Sequence, residues 1–193
     1  MKIGLFFGSF NPIHTGHMII ANIMVEATNI DKVWFVVSPQ NPFKKSKSLL
    51  HEFDRLDMVR AATYDNYDLD VSDVEFHMPK PSYTIDTLAY LKEKHPDKDF
   101  ALILGEDNLV SFKKWKNYDK ILDNYSVYVY PRPSAAIEQV KETHESIMYV
   151  DAPLLNISAT FIRECIRKGN SVRYLVPDPV EEMIKAKKFY LTK

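Results

Sequence analysis

Apolar residues fall along this chain in two kinds of run, and the two kinds alternate. Ile3 to Phe7, Val33 to Val37 (VWFVV), Phe100 to Leu104 (FALIL) and Tyr125 to Tyr130 (YSVYVY) are short, nearly unbroken and rich in β-branched or aromatic residues. Such runs read as strands covered on both faces. Between them apolar positions recur at helical spacing. Ile19, Ile20, Ile23, Met24 and Ala27 predict a helix over about 15–27. Phe53, Leu56 and Val59 predict one over 51–64, and Ile85, Leu88, Ala89 and Leu91 one over 82–94. Val71 to Phe76 reads as a further short strand.

Strands of this kind alternating with helices imply an α/β fold, a doubly wound and mostly parallel sheet with helices on both faces. The pattern turns helical after Asp151. Ser158 to Lys168 predicts one helix, closed by Gly169 as a left-handed cap. Asp178 and Pro179 read as the N-cap and first-turn pair of a last helix, with Val180, Met183 and Ile184 facing inward. One domain over 1–193 follows, a core to about residue 150 and a small C-terminal helical part over 151–193. Ligands of such sheets bind outside the carboxyl ends of the strands. That directs attention to the loops after Phe7, Val37, Phe76, Leu104 and Tyr130.

Composition narrows the partners. The 193 residues are 46% hydrophobic and 26% charged, an ordinary globular balance that can bury a sizeable core. With 25 basic and 26 acidic residues the net charge is -1, so a general polyanion binder is not expected and nucleic acid is not the partner. A small phosphate ligand needs only local charge. The single cysteine, Cys165, permits neither an internal disulfide nor a Cys-rich zinc site, and its place beside Ile162 and Ile166 suggests core packing. A cytoplasmic protein is expected. The apolar run after Lys2 ends at Gly8, short of the roughly 7–15 residues of a signal-peptide core. No run approaches the roughly 20 residues of a membrane span. A homo-oligomer is left open.

The chemistry concentrates in GSFNPIHTGH, Gly8 to His17. Gly8 follows a strand and lets the backbone turn sharply and approach a ligand. His14 and His17 lie about one turn apart where a helix begins at Gly16. Two imidazole donors beside exposed helix N–H groups suit a phosphate. A solvated or capping pair is the plainer reading of the spacing alone. A zinc ligand pair is a third, with no further ligand suggested nearby.

That stretch resembles the GxFxPxHxGH signature of the HxGH nucleotidyltransferases, and ISATFIR (Ile157 to Arg163), about 140 residues on, resembles their second signature, ISxTxIR. The middle of the chain is similar to one branch, the nicotinate mononucleotide adenylyltransferases. The matching segments are PQNPFKK (Pro39 to Lys45), PSYTIDTL (Pro81 to Leu88), GEDNLVSFKKW (Gly105 to Trp115), YPRP (Tyr130 to Pro133) and YLVPDPVEEMI (Tyr174 to Ile184). The sequence departs from that branch where Phe7 precedes Gly8 in place of a glycine, where Asn11 stands for an Asp, and at Phe43 and Ala159. His14, His17 and Arg163 of the two signatures are all present.

The resemblance implies a Rossmann-like fold and transfer of an adenylyl group from ATP to nicotinate mononucleotide, giving the deamido dinucleotide and pyrophosphate in NAD biosynthesis. It implies that His14, His17, Lys44 and Arg163 are catalytic. Gly8, Ser9, Phe10, Gly105, Asp107, Ser158 and Thr160 would join them around ATP. Asn11, Lys44, Tyr83, Thr84, Trp115 and Arg132 would meet the acceptor. Asp107 can accept from ribose hydroxyls, and the N–H groups of Tyr83 and Thr84 suit a carboxylate at a helix start. Trp115 reads from its sequence context as core filler or stacking platform, and the resemblance makes it the platform. Mg2+ would arrive with ATP, with no dedicated protein cage. Two alternatives stand: the same fold with another acceptor (nicotinamide mononucleotide or phosphopantetheine), and a nucleotide-binding module without catalysis.

Overall fold

Six parallel strands form one sheet in the order β3-β2-β1-β4-β5-β6: β1 (Lys2–Gly8), β2 (Lys32–Val37), β3 (Leu69–Ser72), β4 (Asp99–Gly105), β5 (Ser126–Tyr130) and β6 (Ile147–Tyr149). The computed structural model describes residues 1–39, 49–133 and 143–191. Lys44, expected at the site, and its neighbours Phe43, Lys45 and Lys47 lie outside the described residues.

The chain winds outward from β1 through β2 to β3, then returns past β1 to β4. The winding direction therefore reverses between β1 and β4, which pair directly from Lys2 opposite Asp99 to Phe6 opposite Ile103. A crevice opens at the carboxyl ends there. Gly8 and Gly105, the last residues of the two strands, border it.

Alternate strand residues feed two cores, as the period of two demands. Phe6, Phe35, Ile103 and Tyr128 point to one face and pack on α1 (Thr15–Ala27), α2 (Glu52–Thr63), α6 (Ala159–Arg167) and α7 (Asp178–Lys187). Leu5, Val36, Leu102 and Val129 point to the other and pack on α3 (Thr84–Lys94) and α5 (Tyr118–Asn124), with the short α4 (Glu106–Leu109) alongside. Each fully buried Leu, Ile or Val contributes about 1.5–3 kcal/mol relative to exposure. Ile162, Ile166, Val180 and Ile184 sit in the first core, so the C-terminal helices share it with the sheet. Cys165 is buried in the same core. The C-terminal part is also fastened to the start of α1: the Thr15 N–H donates to the Leu175 carbonyl at 2.9 Å and its hydroxyl to the Tyr174 carbonyl at 3.0 Å.

Three sequence expectations change. The strand expected over Val71–Phe76 runs from Leu69 to Ser72, then gives way to a 3-10 turn over Val74–His77. The Ser72 hydroxyl accepts from the Val74 N–H at 3.3 Å, a local side-chain bond that competes with the sheet ladder. The N-cap of α7 is Pro177, not Asp178: the Pro177 carbonyl already accepts from Val180 and Glu181, so Asp178 and Pro179 fill the first helical positions. The three-residue β6 was not anticipated. Gly169, at φ 72°, takes the left-handed conformation expected of it.

Candidate active site

The loop after β1 is shaped by Phe10. A Cβ on Gly8 would lie 2.7 Å from the Phe10 ring, so only glycine fits beneath it. Phe10 itself adopts φ 43° and folds its ring into the core, edge-on to Phe6, Phe35 and His17. Gly8 was expected to make room for a ligand. It lines the cleft and also makes room for this ring, which supports His17 from below with its centroid 5.1 Å away.

His14 is the N-cap of α1 and His17 its third residue. The two rings stack with centroids 3.7 Å apart and planes inclined by 22°. The His14 backbone N–H donates to His17 Nδ1 at 3.3 Å. An acceptor Nδ1 on a neutral imidazole puts the proton on Nε2, so His17 carries a fixed donor. His14 Nδ1 is buried and has no hydrogen-bond partner among the described residues. The helix start is less open to an anion than the sequence implied, because the Thr15 N–H is already given to Leu175.

Burial, with the nearby Arg132 charge adding to it, lowers the His14 pKa from 6.5 to about 3. Burial, then His14, then Arg132 hold His17 well below its ordinary value. Both imidazoles are neutral near pH 7 and act as oriented dipoles rather than cations. Stability follows. Below pH 6.5 the unfolded chain binds protons that these folded imidazoles refuse, so their contribution is fully present above 6.5 and is lost as pH falls toward about 3. The urea midpoint of the wild type is expected to drop between pH 7.5 and 5, and His14→Gln to flatten that drop. An equally steep drop in the variant would contradict the assignment.

Arg163 reaches this loop from the far end of the sequence. Ser158 caps α6 by accepting from the Phe161 N–H at 3.2 Å. Arg163 Nη1 donates to the Asn11 carbonyl at 2.8 Å and Nη2 to the Thr160 hydroxyl at 3.2 Å. Its Nε is buried and lacks a partner among the described residues. Burial lowers its pKa, but a guanidinium stays charged. An orphaned, charged donor beside a helix N-terminus is the arrangement a phosphate completes. Asn11, expected to contact substrate, lines the cleft and also braces the loop, accepting at Oδ1 from the Leu50 N–H (3.3 Å) and the Tyr190 hydroxyl (3.0 Å).

On the β4 and β5 side, Asp107 Oδ1 occupies the space that a Cβ on Gly105 would take, 2.5 Å from that position. It lies 3.7 Å from Arg132 Nε. Arg132 stands over the Tyr130 ring, and its N–H donates to Glu106 Oε2. Burial pushes the Tyr130 phenol up to about 12. At the opposite end Tyr83 is the N-cap of α3 and Thr84 its first residue. Lys116 pairs with Asp86 at 2.8 Å and lies over the Tyr83 ring. Half-buried Trp115 packs edge-on against Phe112.

One cleft of about 960 Å³ gathers these groups. Every described residue expected at the site lines it. The volume is that of a ligand larger than one nucleotide. Sequence reasoning missed Arg55, an arginine on α2 with no exposed surface. Its guanidinium donates to the carbonyls of Ser9 (2.6 Å), Ser38 (2.8 Å), Pro39 (3.0 Å) and Leu50 (3.0 Å), tying the loops after β1 and β2 together. It missed Glu75 as well. No motif marks either residue, and an arginine among helical charges reads as solvated.

Comparison with known proteins agrees with the geometry. The Cytidylyltransferase-like family profile matches residues 5–165. A protein of Cytophaga hutchinsonii named "Probable nicotinate-nucleotide adenylyltransferase" is 58% identical over 98% of both chains. One of the same name from Flavobacterium johnsoniae is 50% identical, covering 98% of this chain and 99% of its own. Among solved structures, Plasmodium falciparum nicotinic acid mononucleotide adenylyltransferase complexed with NaAD superposes with a TM-score of 0.78 at 20% identity, covering 98% of this chain and 97% of that one. At that identity the superposition speaks for the fold. The profile and the whole-length relatives speak for descent, and they place this chain in the cytidylyltransferase-like family.

Proposed function

We infer that the chain is a nicotinate-nucleotide adenylyltransferase, moving the adenylyl group of ATP onto nicotinate mononucleotide to give deamido-NAD and pyrophosphate. The observation that carries this is the meeting of His14, His17 and Arg163 across the sheet's switch point, in a cleft whose far wall holds Trp115 and the start of α3.

An oxygen of the acceptor's phosphate bonds to the α-phosphorus of ATP, and the bond from that phosphorus to the bridging oxygen breaks in line, releasing pyrophosphate. No protein nucleophile is required. Catalysis is positioning plus charge stabilisation. His17 Nε2 and His14 donate to the charge that builds at the α-phosphate. Arg163, with Thr160 and the first turn of α6, holds the β- and γ-phosphates. Arg132 and Asp107 lie where ribose and phosphate oxygens pass. The N–H groups of Tyr83 and Thr84 donate to no acceptor among the described residues, and they receive the pyridine carboxylate.

Mg2+ enters with ATP. Phosphate oxygens and water would supply the ion's ligands, as is usual for Mg2+ bound with a nucleotide. When bound, the ion neutralises phosphate charge. The setting we propose is cytoplasmic. Among the described residues no helix is long and apolar enough to cross a membrane.

Trp115 supplies a flat apolar face at the acceptor end. Trp115→Ala is expected to raise KM for nicotinate mononucleotide about tenfold, the scale of a lost aromatic stack, and to leave KM for ATP within about twofold. Initial rates with each substrate varied in turn check this, and equal changes in both constants would place Trp115 in the core alone. The substrate assignment is tested by pyrophosphate release from ATP with nicotinate mononucleotide, nicotinamide mononucleotide or phosphopantetheine. Fastest release with the first is expected. Release with phosphopantetheine alone would overturn the acceptor, and release with none would favour a binding module.

A further inference from the structure

Glu75 is the one buried carboxylate in the cleft wall that the reaction above does not use. It sits on the 3-10 turn after β3, is 3% exposed, and lines the cleft. No lysine, arginine or histidine among the described residues pairs with it. Hydroxyls surround it instead. Thr87 Oγ1 donates to Glu75 Oε1 at 3.0 Å, and Ser38 and Ser82 line the same stretch of cleft wall. Burial raises its pKa, and these hydroxyls oppose that rise.

The three hydroxyls come from three different pieces of the wall. Ser38 follows β2 directly. Ser82 precedes Tyr83, the N-cap of α3. Thr87 lies in the first turns of α3 and also reaches the Tyr83 carbonyl at 3.3 Å. An uncompensated buried carboxylate is costly, and the Thr87 bond offsets part of that cost. The same bond ties the turn that carries Glu75 to the first turns of α3, beside Tyr83 and Thr84, which line the cleft.

We propose that Glu75 is a positioning residue for the acceptor: it locks the turn after β3 to the start of α3 and thereby sets the affinity for the pyridine mononucleotide, not for ATP. Among the described residues, His14, His17 and Arg163 at the ATP end of the cleft make no hydrogen bond to Glu75 or Thr87. The proposal rests on the function inferred above.

Its signature is a split between substrates. Glu75→Gln keeps the shape but turns one acceptor oxygen into an N–H donor facing a hydroxyl. KM for nicotinate mononucleotide is expected to rise about tenfold, the scale of one hydrogen bond to a charged group, with KM for ATP within about twofold. Thr87→Val is expected to raise the same constant about threefold, and to add nothing further in the Glu75→Gln background, because both changes remove the same bond. KM does not depend on the fraction of enzyme folded, and the milder variant keeps the test usable if Glu75→Gln folds poorly. Equal rises for both substrates, or no rise for either, would show that Glu75 serves stability only. That result with an active wild type overturns this proposal alone. A wild type that does not turn over nicotinate mononucleotide overturns it together with the acceptor assignment.

Discussion

His17→Ala is expected to lower turnover by about 10²–10³-fold at saturating substrates, the usual loss when one preorganised donor to developing charge is removed. The argument is geometric. The His14 N–H occupies His17 Nδ1, the stacked His14 ring and the edges of Phe6 and Phe10 hold the imidazole plane, and burial keeps it neutral. The Nε2 proton is therefore aimed before substrate arrives and costs no reorganisation during the reaction. Because the bond strengthens as charge moves onto the α-phosphate, the loss falls on kcat more than on KM. His17→Gln, which can place an N–H near the same point, is expected to recover part of the rate. Initial-rate kinetics, with thermal unfolding to confirm folding, check both. Near-normal turnover in His17→Ala would remove this residue from the mechanism.

Arg163→Ala is expected to lower kcat/KM for ATP by about 10²–10³-fold, through a higher KM as well as a lower kcat. Two effects combine. The triphosphate loses a charged, forked partner. The loop after β1 also loses the bond between Arg163 Nη1 and the Asn11 carbonyl, which joins residues 152 positions apart. Arg163→Lys should recover little. A lysine keeps the charge but cannot bond Asn11, Thr160 and a phosphate in fixed directions at once. Full recovery by lysine would mean that charge alone matters there.

Much of this was legible in the sequence, for definite reasons. β1, β2 and β4 are nearly unbroken apolar runs, and α1 and α3 carry apolar residues at helical spacing, so periodicity alone finds them. GSFNPIHTGH and ISATFIR each hold several chemically demanding residues in a short window, which is why the phosphate end could be named residue by residue. Other parts carry no periodic signal. β6 is three residues long and exists only because β5 offers it an edge. The strand after α2 stops at Ser72 because one hydroxyl bonds the backbone locally. Arg55, Glu75 and Tyr190 are single polar residues whose meaning lies in partners far along the chain, such as Tyr190 with Asn11, 179 residues apart. Phe10, expected near ATP, lines the cleft, and its further role as support of His17 rests on a left-handed backbone and a buried ring that only the fold reveals.

ATP labelled at its α-phosphate, incubated with the wild type and nicotinate mononucleotide, tests the central claim most directly. The label should appear in the deamido dinucleotide, one equivalent for each pyrophosphate released, with none in free AMP. Label recovered in AMP, or left in ATP while the mononucleotide stays unchanged, would contradict adenylyl transfer in this cleft.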